Sequence, residues 1–153
     1  MIVFQPPKLS FKVKNFFGLY ELSPFEEELL QTLDSNLSNE EKNILAHQMQ
    51  RFNLVRRTIK HIDVPDAHGF TNFHTYRFGK NVTDKRQQKR FASDMEEELL
   101  ATATVVFNSS KINIQFWLVQ GVFFRIEYRS AQKTYYPTDD YSINDIVIWP
   151  NRH

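Results

Sequence analysis

The chain reads as a single α+β domain, an N-terminal helical hairpin followed by a mainly antiparallel β-sheet. Three observations predict this. Two serine-led stripes of apolar residues at helical spacing occupy the first third, between residues 23 and 52. Three β-branched and aromatic runs separated by short turns occupy the second half, between residues 102 and 129. The length, 153 residues, suits one core, because two would leave each near the size at which burial becomes marginal. The expected unit therefore spans residues 1–153. With 14 Phe, 6 Tyr and 2 Trp, each able to remove about 150–250 Å² from water when buried, it has ample material for a core.

The elements follow in order. Leu9, Phe11 and Val13 alternate with Ser10, Lys12 and Lys14, so Leu9 to Phe17 reads as an edge strand. Ser23-Pro24-Phe25-Glu26 is a helix start: Ser23 caps, Pro24 suits the first turn and Glu26 completes a capping box. Phe25, Leu29, Leu30, Leu33 and Leu37 then line one face. Ser38-Asn39-Glu40-Glu41 repeats the device, with Ile44, Leu45, Met49 and Phe52 as the second stripe. So short a join predicts an antiparallel helix pair.

Val55 to His61 fits either an extension of the second helix or a strand. Pro65 to Gly69 is a turn by composition. Phe70 to Phe78 alternates as a strand, with His74, Tyr76 and Phe78 on one side and Phe73, Thr75 and Arg77 on the other. The polar stretch from Gly79 to Arg90 reads as a loop leading into a helix near Phe91 to Leu100. Thr102 to Phe107, Lys111 to Val119 and Val122 to Arg129 then form a meander of two hairpins, turning at Asn108-Ser109-Ser110 and Gln120-Gly121. Ile112, Ile114, Phe116 and Leu118 share a face, as do Val122, Phe124, Ile126 and Tyr128. Phe123, Arg125, Glu127 and Arg129 form a half-polar, solvated face. Tyr141 to Trp149 adds a last short strand.

Composition bounds the function. A net charge of +1 offers no global field toward nucleic acid or an anionic membrane. The absence of cysteine rules out disulfides, thiolate metal sites and a cysteine nucleophile, and suits a reducing compartment. No apolar stretch approaches the roughly 20 residues of a bilayer span, and MIVFQPPKLSFK lacks the pattern of a signal peptide. The expected location is cytoplasmic. Four glycines, with no G-x-G-x-x-G, no G-x-x-x-x-G-K and no G-x-S-x-G, argue against a nucleotide cofactor and a serine nucleophile. No cofactor is expected.

His61, His68 and His74 lie within 14 residues, with Asp63 and Asp66 between them, yet their spacing matches no compact metal signature. No metal site and no catalytic residue is assigned. An alternative takes His68 and His74 as general acid and base in a small enzyme acting on RNA or nucleotides, with the basic stretch 77–91 (+5) on phosphate. That stretch has no aromatic stacking platform, and nucleic acid is not the favoured partner. His47 in the second helix reads as a surface residue.

Charge is segregated. Residues 21–41 carry Glu21, Glu26, Glu27, Glu28, Asp34, Glu40 and Glu41 without a single Lys or Arg, a balance of −7. Some of these serve helix starts; the rest form an acidic surface for a basic partner. Thr134 to Tyr141 supplies a second candidate surface, because tyrosine offers large contact area at low entropic cost and the carboxylates beside it can pair with Arg or Lys. Glu27, Asp34, Tyr135, Tyr136, Asp139 and Asp140 are the expected partner-binding residues.

The stretch Ile112 to Tyr128, INIQFWLVQGVFFRIEY, resembles a late hairpin found in small bacterial immunity proteins of polymorphic or contact-dependent toxin systems. In those proteins a strand, a Gly turn and an Ile-Glu-Tyr/Phe strand recur near the end of the chain. The resemblance covers the last third at most and carries no catalytic residue, since such proteins act by binding. It implies a cytoplasmic inhibitor that occludes a cognate toxin domain, a basic nuclease among the candidates, toward which an acidic face would steer association. A phage or scaffold component is a further alternative.

Overall fold

The computed structural model describes residues 22–60, 67–78, 80–81, 89–93, 95–107, 110–130 and 140–149. Helix α1 spans Pro24–Asn36 and helix α2 spans Asn39–Met49. Among the described residues eight strands follow: β1 Leu54–Lys60, β2 Ala67–His74, β3 Tyr76–Arg77, β4 Lys80–Asn81, β5 Glu97–Phe107, β6 Ser110–Val119, β7 Val122–Ser130 and β8 Tyr141–Ile148. Six of them form one antiparallel sheet in the order β1-β2-β7-β6-β5-β8, and β3 pairs with β4 apart from it. The α+β domain expected from the sequence is the one observed. No helix among the described residues is long and apolar enough to cross a membrane. The edge strand expected over Leu9 to Phe17 lies outside the described residues.

Both capping boxes form. Ser23 Oγ accepts from the Glu26 amide at 3.2 Å while the Ser23 amide donates to Glu26 Oε2 at 2.8 Å. Ser38 and Glu41 repeat this at 3.3 and 3.1 Å. Each box satisfies amides that a helix start would leave without partners. The apolar stripes of the two helices then cover one face of the sheet, packing Leu29, Leu33 and Leu45 against Ile112, Ile114, Phe116, Leu118, Ile126 and Tyr128. Each fully buried side chain of this size contributes about 1.5–3 kcal/mol.

Three expectations are corrected. The described residues of 91–100 form no helix: β5 begins at Glu97 and runs to Phe107, longer than the strand expected from Thr102. Glu96 to Leu100 are good helix formers, but Glu97 to Leu99 pair with β6, and a bulge at Leu100 turns both Leu100 and Ala101 into the core. Tertiary pairing overrides local propensity here. Residues 70–78 are not one strand either. β2 begins earlier, within the expected turn, and ends at His74; Phe78 has φ 49° and is 97% exposed, away from any shared face with His74.

The third concerns β7. Trp117 pairs with Arg125 but Leu118 pairs with Phe123, so Phe124 is an extra residue and the side-chain alternation slips by one. Phe123 therefore joins Ile126 and Tyr128 in the core instead of the solvated face, and Phe124 is half-buried. The segment Val55 to His61, left open between helix and strand, is strand β1 as far as Lys60.

Two polar side chains tie the layers together. Glu26 is fully buried and accepts from Arg57 Nε at 2.8 Å, Arg57 Nη2 at 2.5 Å and Thr71 Oγ1 at 2.9 Å, in addition to the Ser23 amide. Thr71 in turn hydrogen-bonds the Tyr128 hydroxyl at 3.0 Å, so α1, β1, β2 and β7 share one network. Gln48, also fully buried, donates to the carbonyls of Lys89 (2.7 Å) and Gly121 (3.1 Å) and accepts from the Phe123 amide (2.9 Å). It holds α2 on the β6–β7 turn. Gln120 and Gly121 both have positive φ, 50° and 76°, the two-residue turn that matches strand twist.

Glu26→Ala leaves the Arg57 guanidinium buried without its carboxylate and is expected to cost about 3–5 kcal/mol, read as a lower urea midpoint. Gly121→Ala places a Cβ 2.5 Å from the Phe91 carbonyl oxygen at φ 76°. It is expected to lose about 1–3 kcal/mol from the backbone alone, and an unchanged midpoint would contradict the turn geometry.

Candidate functional site

Of the two surfaces expected from the sequence, the described residues are those of α1 and of the start of the edge strand β8. Glu27 and Asp34 are seven residues apart, two turns of α1, so they share a face about 10 Å long. Glu27 is exposed and Asp34 half-buried. The Tyr141 hydroxyl, at the start of β8, donates a short hydrogen bond to Glu28 Oε2, and its ring meets Phe25 edge-on at 5.1 Å. Burial first, then the hydrogen bond to the Glu28 carboxylate and its charge, push the Tyr141 phenol up to about 12. It therefore stays a donor at any physiological pH.

This contact brings Asp140, exposed and adjacent to Tyr141, to the end of α1 that carries Glu27 and Glu28. Asp145, exposed with φ 51°, marks a bulge further along the same edge, where β5 and β8 shift register between Thr102 and Thr104. Tyr135, Tyr136 and Asp139 lie outside the described residues, as do Glu21 and most of the basic stretch 77–91. Glu26 does not belong to the acidic surface, because Arg57, Thr71 and Ser23 consume it in the interior. Glu41 is spent on its capping box.

The sequence held signals for both buried polar groups. Glu26 precedes Leu30, Leu33 and Leu37 at helical spacing, and Gln48 follows Ile44 and Leu45, so each sits on an apolar stripe. A polar residue there is either paired or costly. Which partner answers it is a long-range matter that the local pattern does not hold.

His61, Asp63 and Asp66 lie outside the described residues. His68 and His74 both stand on β2, six residues apart, with their backbones about 20 Å apart along the strand. That distance does not suit a cooperating acid and base on one scissile bond. Among the described residues no group of three or more metal-binding side chains gathers. An open cleft of about 480 Å³ is lined by Arg90, Phe91, Ser93, Met95, Glu96 and Gln120, with no histidine and no paired carboxylates. His47, expected at the surface, is half-buried with Nε2 covered and without a hydrogen-bond partner.

The face of the sheet turned away from the helices has the opposite charge. Among the described residues β1, β6 and β7 present Arg56, Lys111, Arg125 and Arg129 there against Glu127, which pairs with Arg129 at 2.8 Å. Arg125 lies over the rings of Phe70 (4.7 Å) and Phe124 (4.9 Å), and its Nε donates to Asn72 Oδ1 at 2.8 Å. His74 is held below its ordinary value of 6.5, first by desolvation and then by the guanidiniums of Arg56 and Arg125.

No family model matches the chain, and no curated protein and no solved structure matches it.

Because folded His74 takes up a proton less readily than it does in the unfolded chain, the unfolded state binds more protons as the pH falls. Stability is therefore expected to drop as the pH is lowered from about 6.5 toward the folded value. His74→Gln is expected to flatten that part of the profile, measured as urea midpoints at several pH values; an unchanged slope would place His74 in a water-like setting.

Proposed function

We propose that the protein is a binding inhibitor, an immunity protein that neutralises a cognate bacterial toxin domain of basic charge by covering it. The observation that carries this reading is the Tyr141–Glu28 contact. It fastens the edge strand to α1 and so makes one rigid acidic surface from Glu27, Glu28, Asp34 and Asp140, residues more than a hundred positions apart in the chain. Rigidity matters because a pre-organised surface loses little entropy on association. Concentrated like charge raises the encounter rate with a partner of opposite charge. The resemblance of Ile112 to Tyr128 to the immunity-protein hairpin points the same way. In the structure that hairpin is β6 and β7, the middle of the sheet, where it supports the surface rather than forming it.

The test pairs the protein with the toxin domain encoded by the neighbouring gene and follows association by surface plasmon resonance. The triple variant Glu27→Lys, Asp34→Lys, Asp140→Lys is expected to slow association at low salt by roughly tenfold or more, while its circular dichroism and urea midpoint stay close to the parent's. Association at the parental rate by a folded triple variant would remove this surface from the interface.

A further inference from the structure

On the outer face of the sheet, Arg56, Asn72 and Arg125 are register partners across β1, β2 and β7. Neighbouring strands lie about 4.8 Å apart, so the three side chains rise from one row roughly 10 Å wide. Arg125 is oriented: Phe70 and Phe124 flank its guanidinium, and its Nε is spent on Asn72 Oδ1. That bond fixes the Asn72 amide, since only its oxygen can accept from Arg125, and turns its NH2 away from Arg125. Among the described residues no acceptor meets the Arg125 terminal nitrogens, the Asn72 NH2 or the exposed Arg56 guanidinium. The one carboxylate that β7 presents on this face, Glu127, is paired with Arg129. We propose that this row is a phosphate-binding site, taking inorganic phosphate or a phosphate monoester between the two guanidiniums with the Asn72 amide beneath it.

Three considerations support the assignment. Two like-charged arginines in one row, one of them held between aromatic rings, leave positive charge that an anion between them would neutralise. Planar guanidinium forks match phosphate oxygens in pairs, and such charge-assisted bonds are about twice as strong as neutral ones. His74, two residues along β2 from Asn72, is held below its ordinary value first by desolvation and then by the positive charge of Arg56 and Arg125. The site stands on the face opposite the helices, so it is independent of the acidic surface and of the reading built on that surface.

The reporter is Trp117, the register partner of Arg125 on β6, whose indole Nε1 is covered and without a hydrogen-bond partner. The Trp117 indole N–H resonance, distinguished from that of Trp149 by Trp149→Phe, is followed while inorganic phosphate is added to the full chain. Sodium chloride and sodium acetate at matched ionic strength serve as controls. A saturable shift with phosphate alone is expected, and Arg56→Gln is expected to weaken the apparent affinity by about tenfold. Arg56 is exposed, so this variant should fold even where Arg125→Gln does not. Equal shifts with chloride, tighter binding of acetate than of phosphate, or an affinity untouched by Arg56→Gln would each overturn the proposal.

Discussion

One carboxylate decides how the two layers of this protein meet. Glu26 occupies the third position of α1, where its capping box requires it, and the same side chain is sealed beneath the helix with no exposure to water. A charged group there is strongly unfavourable unless all its lone pairs are answered. Four donors answer them: the Ser23 amide, two nitrogens of Arg57 and the Thr71 hydroxyl. The penalty for any other placement of α1 is the loss of those partners, so the helix start, β1 and β2 have one satisfactory arrangement. Thr71 extends the constraint to Tyr128 and the middle of the sheet. A buried pair of this kind is weak evidence for high stability, and its effect is to select a geometry.

Gln48 plays the corresponding part for α2. With three backbone groups around one amide, it fixes the helix to the β6–β7 turn and to the carbonyl of Lys89. The Phe91 amide bonds the Gly121 carbonyl at 2.9 Å and the Gln120 amide bonds the Glu96 carbonyl at 3.0 Å, so the chain leading into β5 is sewn to the same turn. Irregular backbone thus finds its hydrogen bonds without regular structure. The turn can serve three elements because Gly121 leaves room for the Phe91 carbonyl.

With both helices pinned to one face, charge separates by layer. The helical side and the β8 edge display Glu27, Glu28, Asp34, Asp140 and Asp145, whereas the outer sheet face displays Arg56, Lys111, Arg125 and Arg129. A net charge of +1 conceals this polarity. Each face would attract what the other repels, which orients a charged partner before contact. Among the described residues no group of three or more metal-binding side chains gathers, and the open cleft beside Gln120 is lined without a histidine.

The sequence by itself determined the parts whose physics is local. The two capping boxes, the apolar stripes of α1 and α2, the Gln120-Gly121 turn and the strands it joins all depend on residues within a few positions of one another. The acidity of residues 21–41 was equally legible, though not that Glu26 would be withdrawn from it. Tertiary structure alone decided the rest. Glu97 to Leu99 became strand because β6 was there to pair with them, and Phe123 turned inward because a bulge one residue long reversed the alternation. Arg57 found Glu26 and Tyr141 found Glu28 across separations of 31 and 113 residues. Helix and turn signals are written in neighbouring residues. Register, bulges and the partner of a buried charge depend on which distant strand arrives alongside, and no short window of sequence contains that.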